Sequence, residues 1–302
     1  YYLHVSTQAI LYIVLALGLN MILSCGLLNL GYIAFFAIGA YTYAILNTKV
    51  GFSLWATLPV ALALSVISGT ILAFVSLKSR SDYFVLVTLA FGEIVRLLLR
   101  NADSLTNGPQ GIMGIDRPSL FFAIRTPLHF YYLALVWLVI AFTVIHRVTI
   151  SRLGASWTAV RGNETWSYSA GYHVLAIRIS ACVLGAVLAG LSGVFFAAWQ
   201  TFVSPESFSL FESIIVLCMV VLGGGINGNL LGVLLGAIIL ALLPELFREV
   251  QQYRMLAFGA GMTLIVICRS SGIVGRSWLI AADKKLFAAK IKARPGCDHH
   301  SQ

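Results

Sequence analysis

Apolar residues follow one another along almost the whole chain in runs of the length that a roughly 30 Å hydrocarbon layer demands, about 20 residues per helix. Nine such runs stand out, at about 8–25, 30–46, 55–77, 83–99, 129–146, 176–199, 211–224, 229–247 and 255–268. The seventh and ninth are short. Polar, glycine- or proline-containing stretches separate the runs, as expected where a chain turns at a membrane surface. The pattern predicts an all-α fold, a polytopic transmembrane helix bundle of about nine spans. Residues 1–275 form one transmembrane domain, and a basic tail at 276–302 is expected to be disordered.

Composition agrees with the pattern. Of 302 residues, 59% are hydrophobic and 10% charged, against about 25% charged in a soluble domain. Mean hydropathy is +0.91, so the apolar surface exceeds what a single soluble core could bury. The formal charge of +9 changes the picture through its placement. Lys78, Arg80, Arg147, Arg152, Arg161, Arg178 and the tail residues from Arg269 to Arg294 fall on one side of the predicted membrane. Only Lys49, Arg100, Arg117, Arg125, Arg248 and Arg254 fall on the other. The positive-inside rule puts the richer side in the cytoplasm, N-terminus out and C-terminus in. The charge is therefore read as topological, with anionic lipid headgroups and not nucleic acid as its partner. The chain opens at Tyr1 with no basic segment before a cleavage site, so no signal peptide is expected. An odd span count from an outside start is what a missing upstream helix would leave, and equally what a chain with an outside N-terminus shows.

Two connections are long enough to act. The outer one, Arg100–Leu128, contains NGPQGIMGIDRP, whose glycines and prolines suit a compact or re-entrant loop. The inner one, about residues 147–175, is amphipathic and predicts one or two short helices that a soluble partner could grip.

Catalytic signatures are missing. Nucleotide hydrolysis by a phosphate-cradling GxxxxGK[ST] loop is excluded, since Gly-Lys occurs nowhere in the chain. HExxH and GxSxG are absent too, and the cysteines have no CxxC spacing, so no metal site, disulfide framework or enzyme activity is expected. The clear charges inside a span are Glu93 and Arg96, three residues apart on one helical face, where they neutralise each other in part. They read either as an ion pair near the interface or as candidate pathway residues, because intramembrane charge is costly. Gly224, Gly228, Gly232 and Gly236 recur every four residues, as do Gly185, Ala189 and Gly193, which predicts close helix packing.

Several of these segments have a familiar order. GLNMILSCGLLNLGYIAFFAIGAYTYAIL at Gly18–Leu46 and DYFVLVTLAFGEIVRLLLRNADSLTNGPQGIMGI at Asp82–Ile115 are followed by SRLGASWTAVRGNET at Ser151–Thr165. VLAGLSGVFFAAW at Val187–Trp199, SPESFSLFESIIVLCMVVLGG at Ser204–Gly224 and LLPELF at Leu242–Phe247 complete the series. Together they resemble the permease subunits of branched-chain amino acid ABC importers, the M-type half of the permease pair. The resemblance reaches to about Gly275.

It implies a bacterial inner-membrane, multi-pass permease without its own ATPase site or cofactor, ATP being bound by partner subunits. Those partners are an H-type permease, two cytoplasmic ATPases and a periplasmic substrate-binding protein, with alternating access as the mechanism. In such permeases a cytoplasmic segment docks into the ATPase, and Ala159, Arg161, Glu164 and Gly171 match its pattern. The match departs at Thr165, Trp166 and Ser167, where small aliphatics are usual, and at Tyr168, where a charged residue is common; Trp166 and Tyr168 are candidate contact anchors. Closely similar permeases carry urea or short amides, which stays an alternative substrate class. An ion-coupled secondary transporter is the reading from another class, with Glu93 its one candidate site.

Overall fold

The computed structural model describes residues 2–76, 81–117, 127–224, 230–246 and 259. The chain is an all-α bundle. Its helices are α1 (Tyr2–Ser24), α2 (Ile33–Ile45, continued by a π turn over Leu46–Val50), α3 (Leu54–Ser76), α4 (Ser81–Asn101) and the single turn α5 (Asp103–Thr106). They continue with α6 (Pro127–Ile150), α7 (Arg152–Gly162), α8 (Glu164–Ser169), α9 (Val174–Gln200), α10 (Leu210–Leu222) and α11 (Leu230–Leu246). Five segments among the described residues are long and apolar enough to cross a membrane: Leu3–Ser24, Ile33–Val50, Leu54–Val75, Pro127–Ile150 and Val174–Gln200. Leu210–Leu222 and Leu230–Ala241 are apolar but shorter. This is a multi-pass membrane protein.

Helix α9 is the axis of the bundle, 27 residues or about 40 Å long. Lipid tails are as apolar as leucine, so helices in a membrane gain little by hiding apolar surface and associate through close van der Waals contact at small residues. The packed faces of α9 follow that logic. Gly185 meets α1 at Ile22 and at the Gly18 carbonyl, and Gly193 meets α2 at Phe36 and Ala40. A Cβ added to Gly39 of α2 would fall on the Gly190 carbonyl, with the Gly190 Cα 2.7 Å away. Ala186 lies beneath Gly69 of α3.

Between α1 and α2 the chain is not helical. Residues 25–32 turn back into the bundle, and neighbouring helices bond several of their polar groups, the condition under which irregular backbone survives at membrane depth. The Leu30 N–H donates to Thr88 Oγ1 of α4 at 3.2 Å, and the Ile33 N–H to Ser213 Oγ of α10 at 3.2 Å. Tyr32 donates its hydroxyl hydrogen to the Gly185 carbonyl of α9 at 2.9 Å. Gly31 and Gly92 let the segment and α4 touch backbone to backbone.

The described part of the outer connection, up to residue 117, is compact, as its composition predicts. Residues 108–110 make a 3-10 turn, and the strand β1 (Ile112–Met113) pairs antiparallel with β2 (Phe202–Val203), which follows α9. The Asn47 side chain accepts from the Asp116 N–H at 2.7 Å, tying the end of α2 to the same cap. The inner connection folds as α7 and α8 at the opposite end of α9.

The run at 83–99 is a helix of the expected length, α4, and carries Glu93 and Arg96, with Arg100 near its end. One expectation changes. The four-residue glycine ladder does not lie on one helix: Gly224 follows the end of α10 with φ +75°, whereas Gly232 and Gly236 belong to α11. The contact there is between helices, Gly236 against Met219 and Gly223, and Gly223 against the Gly232 carbonyl. Gly228, the span at 255–268 apart from residue 259, and the basic tail lie outside the described residues.

Candidate functional site

The helix pair at the inner end of α9 is built from local capping. Ser151 starts α7, its Oγ accepting from the Leu153 N–H at 3.2 Å. Asn163 ends α7 and starts α8, its Oδ1 accepting from the Trp166 N–H at 3.0 Å. These are the side-chain caps that helix N-termini favour. After α8 the chain reverses at Gly171, whose φ of +82° lies where a Cβ is disfavoured, and enters α9.

Two side-chain anchors fix the pair to α9. Trp157 is buried and its Nε1–H donates to Ser180 Oγ at 3.1 Å. Glu164 Oε2 lies 2.8 Å from Arg178 Nη2, and the Arg178 side chain is only 11% exposed. A shielded, hydrogen-bonded ion pair holds geometry better than an exposed one. Arg161 instead reaches the link that follows α1: its Cγ lies 3.2 Å from where a Cβ on Gly26 would stand. Of the sequence-predicted residues, Arg161 and Glu164 thus contact other parts of this chain, Ala159 is half-buried and Gly171 makes the turn. Trp166, 59% exposed, and Tyr168, 58% exposed, are the largest apolar side chains that α8 turns outward. They are two of the positions where the segment departs from the expected pattern.

A second polar cluster lies toward the other end. Arg96 holds Glu93 through Nη2 at 2.9 Å and Nε at 3.0 Å, one turn apart on α4. Glu206, in the short 3-10 turn Pro205–Phe208 before α10, adds contacts to Arg96 at 3.5 Å and Arg100 at 3.7 Å. The group balances Arg96 and Arg100 against Glu93 and Glu206, and its side chains are 20 to 59% exposed. Sequence spacing reveals the first pair only. Glu206 arrives from 110 residues away, and so does no helical periodicity. Tyr12 of α1, which donates to Glu212 Oε2 of α10 at 2.7 Å, was equally hidden. The signal available was weak: both glutamates sit in the short polar stretch SPESFSLFES between two apolar runs.

Among the described residues no group of three or more metal-ligating side chains is present. Cys25, Cys182 and Cys218 are free thiols.

Residues 1–268 match the family described as branched-chain amino acid transport system / permease component. The high-affinity branched-chain amino acid transport system permease protein LivM of Salmonella typhimurium is 40% identical over 295 residues, covering 89% of this chain and 69% of that protein. The protein of the same name from Escherichia coli gives the same figures. A probable branched-chain amino acid transport permease protein LivM from Methanocaldococcus jannaschii is 24% identical over 257 residues, covering 77% of this chain and 74% of that one. No solved structure matches the chain. With a family match along most of its length and two relatives at this identity, the chain belongs to the branched-chain amino acid transport permease family.

Proposed function

We propose that this chain is one permease subunit of an ATP-driven importer that moves leucine, isoleucine and valine inward by alternating access. A second permease of H type, two cytoplasmic ATPases and a periplasmic binding protein complete the assembly in a bacterial inner membrane. The observation that carries the reading is the α7–α8 pair: two capped helices bolted to the central span through Trp157 and Glu164, with Trp166 and Tyr168 presented outward. Aromatic side chains of this kind are favoured anchors at protein interfaces. Seated on an ATPase, such a rigid pair passes nucleotide-driven closure to the spans as a rigid-body movement. The basic residues near it, Arg147, Arg152, Arg161 and Arg178, support a cytoplasmic position for that end and for the C-terminus.

Branched-chain substrates are preferred over urea or short amides because the relatives at 40% identity are named as branched-chain amino acid transport permeases. Glu93 and Arg96 remain our candidates for the lining of the path, since half-exposed charge on a membrane-level helix is better placed against water or a second subunit than against lipid. Because Glu93 is already matched by Arg96, it is a poor site for a coupling cation, which weighs against the ion-coupled transporter.

The test is binding-protein-dependent uptake of labelled leucine into vesicles holding the assembled importer, with urea and a short amide as competitors. ATP-dependent leucine uptake that neither competitor blocks is the expected result. Uptake of urea or amide alone changes the substrate and keeps the architecture, while uptake without ATP overturns the importer. Within the same assay Trp166→Ala should lower ATPase affinity by about tenfold or more, as loss of an aromatic interface anchor does. Unchanged association would remove Trp166 from the interface.

A further inference from the structure

We propose that residues 25–32, the non-helical link between α1 and α2, are the element that carries movement of the α7–α8 pair into the bundle, with Arg178 and Gly26 as its positioning residues. The proposal rests on the reading of α7–α8 as the ATPase-facing element and adds the route by which its motion leaves that surface.

The link is held at both ends by different partners. Its inner end belongs to the helix pair. Gly26 has φ +80°, and the Arg161 stem of α7 lies over the place where a side chain would stand. Cys25 beside it is buried and lies within electrostatic reach of both Arg178 and Glu164, the pair that fastens α8 to α9. The other end belongs to three helices at once: Leu30 to Thr88 of α4, Tyr32 to Gly185 of α9, and Ile33 to Ser213 of α10. A displacement at Gly26 therefore reaches α4 and α10, beyond the α8–α9 ion pair. The link cannot absorb it by local rearrangement at little cost, because the Leu30 N–H and the Ile33 N–H at its far end are bound to side chains of those helices and would be left unsatisfied in a dry interior.

Two further features fit a moving part. Asn29 is fully buried and its Oδ1 accepts from the Gly31 N–H at 2.9 Å, while its Nδ2 has no hydrogen-bond partner among the described residues. Arg178, at the other end of the route, holds Glu164 through Nη2 while its buried Nε likewise lacks a partner there. Each group keeps a donor in reserve that a second arrangement of the link can satisfy, as expected of an element with two packed states.

The experiment uses the assembled importer in proteoliposomes and reads leucine taken up per ATP hydrolysed. It also reads thiol labelling of Leu28→Cys, Leu28 being an exposed member of the link at 38%. In the parent protein the labelling should change between nucleotide-free and ATP-trapped states. Arg178→Gln should leave the ATPases associated and hydrolysing, lower uptake per ATP about tenfold, within the usual range for coupling between sites, and abolish the nucleotide dependence of labelling. The reciprocal exchange E164R/R178E should restore most of the uptake together with the nucleotide dependence of labelling at Leu28→Cys. Should Arg178→Gln prevent assembly, Gly26→Ala serves instead, because it disturbs the link without altering the surface presented by Trp166 and Tyr168; the same uncoupling is expected. Parental uptake per ATP with parental labelling in both variants overturns the route and leaves the importer standing. Failure of the unmodified chain to bind any ATPase overturns the function proposed above and this route with it.

Discussion

Helices α6 and α9 are both long, apolar and free of acidic residues, yet they occupy opposite situations. Helix α9 carries Gly185, Gly190 and Gly193 and is pressed by α1, α2 and α3. Helix α6 has no glycine, and Tyr132, Val136, Val139, Ile140 and Val144 all point away from the protein. In the most apolar stretch of each, half of α9 is buried inside the protein against about a fifth of α6. Hydropathy identifies both as membrane helices and says nothing of where either sits. Small residues do, because they set how near two backbones can come, and in a lipid solvent that nearness is the main source of attraction.

The contrast breaks first at the α2–α9 crossing. Gly39→Leu places a branched side chain where the Gly190 backbone stands, which no rotamer can relieve. The loss of stability should be at least about 3 kcal/mol, the upper part of the usual cost of overpacking, read as loss of folded protein in a detergent thermal melt. An unchanged melt would mean that α2 and α9 do not meet there.

The α10–α11 contact should be the next most sensitive. A methyl on Gly236 meets the Gly223 N at 2.6 Å and the Met219 carbonyl oxygen at 2.7 Å. Gly236→Ala should cost about 1–3 kcal/mol. Alanine adds one carbon where leucine adds four, so the effect should be smaller than at Gly39. A neutral substitution at Gly236 with a damaging one at Gly39 would show that close packing is confined to the axis.

These contacts also mark how far the sequence could be read. Among the described residues, the positions of the long helices, the turns of the outer loop and the helical inner connection follow from periodicity and from glycine and proline placement. The Gly185–Ala189–Gly193 ladder names the packing face of α9, because three small residues four apart must share a face. The Gly224–Gly236 ladder misleads, because periodicity assumes one continuous helix and α10 has ended before Gly224. The charge network at Glu93 was half legible: the Arg96 pair is local, whereas Glu206 is brought in by the fold. For the inner helix pair, the spacing of Arg161, Glu164 and Gly171 located the element. It could not tell that Glu164 points inward to Arg178 while Trp166 faces out, since that depends on which way a six-residue helix is rolled.

The smallest effect belongs to α6 and sharpens the comparison most. Val139 is 56% exposed on the outward face of α6. If lipid covers it, Val139→Ala removes two methyl groups from a surface whose solvent is itself hydrocarbon. The change in stability should then stay within about 0.5 kcal/mol, as at surface positions with no packing role. Val139→Trp should be accepted equally well, because lipid yields to a larger side chain where a packed helix does not. The two variants together separate lipid from protein. If the second permease subunit packs against α6, Val139→Trp will disrupt pairing of the two permeases in co-purification while leaving this chain's own melt unchanged. If both variants pair and melt normally, the subunit contact must lie on another face, and α4, with its half-exposed Glu93 and Arg96, becomes the first place to look.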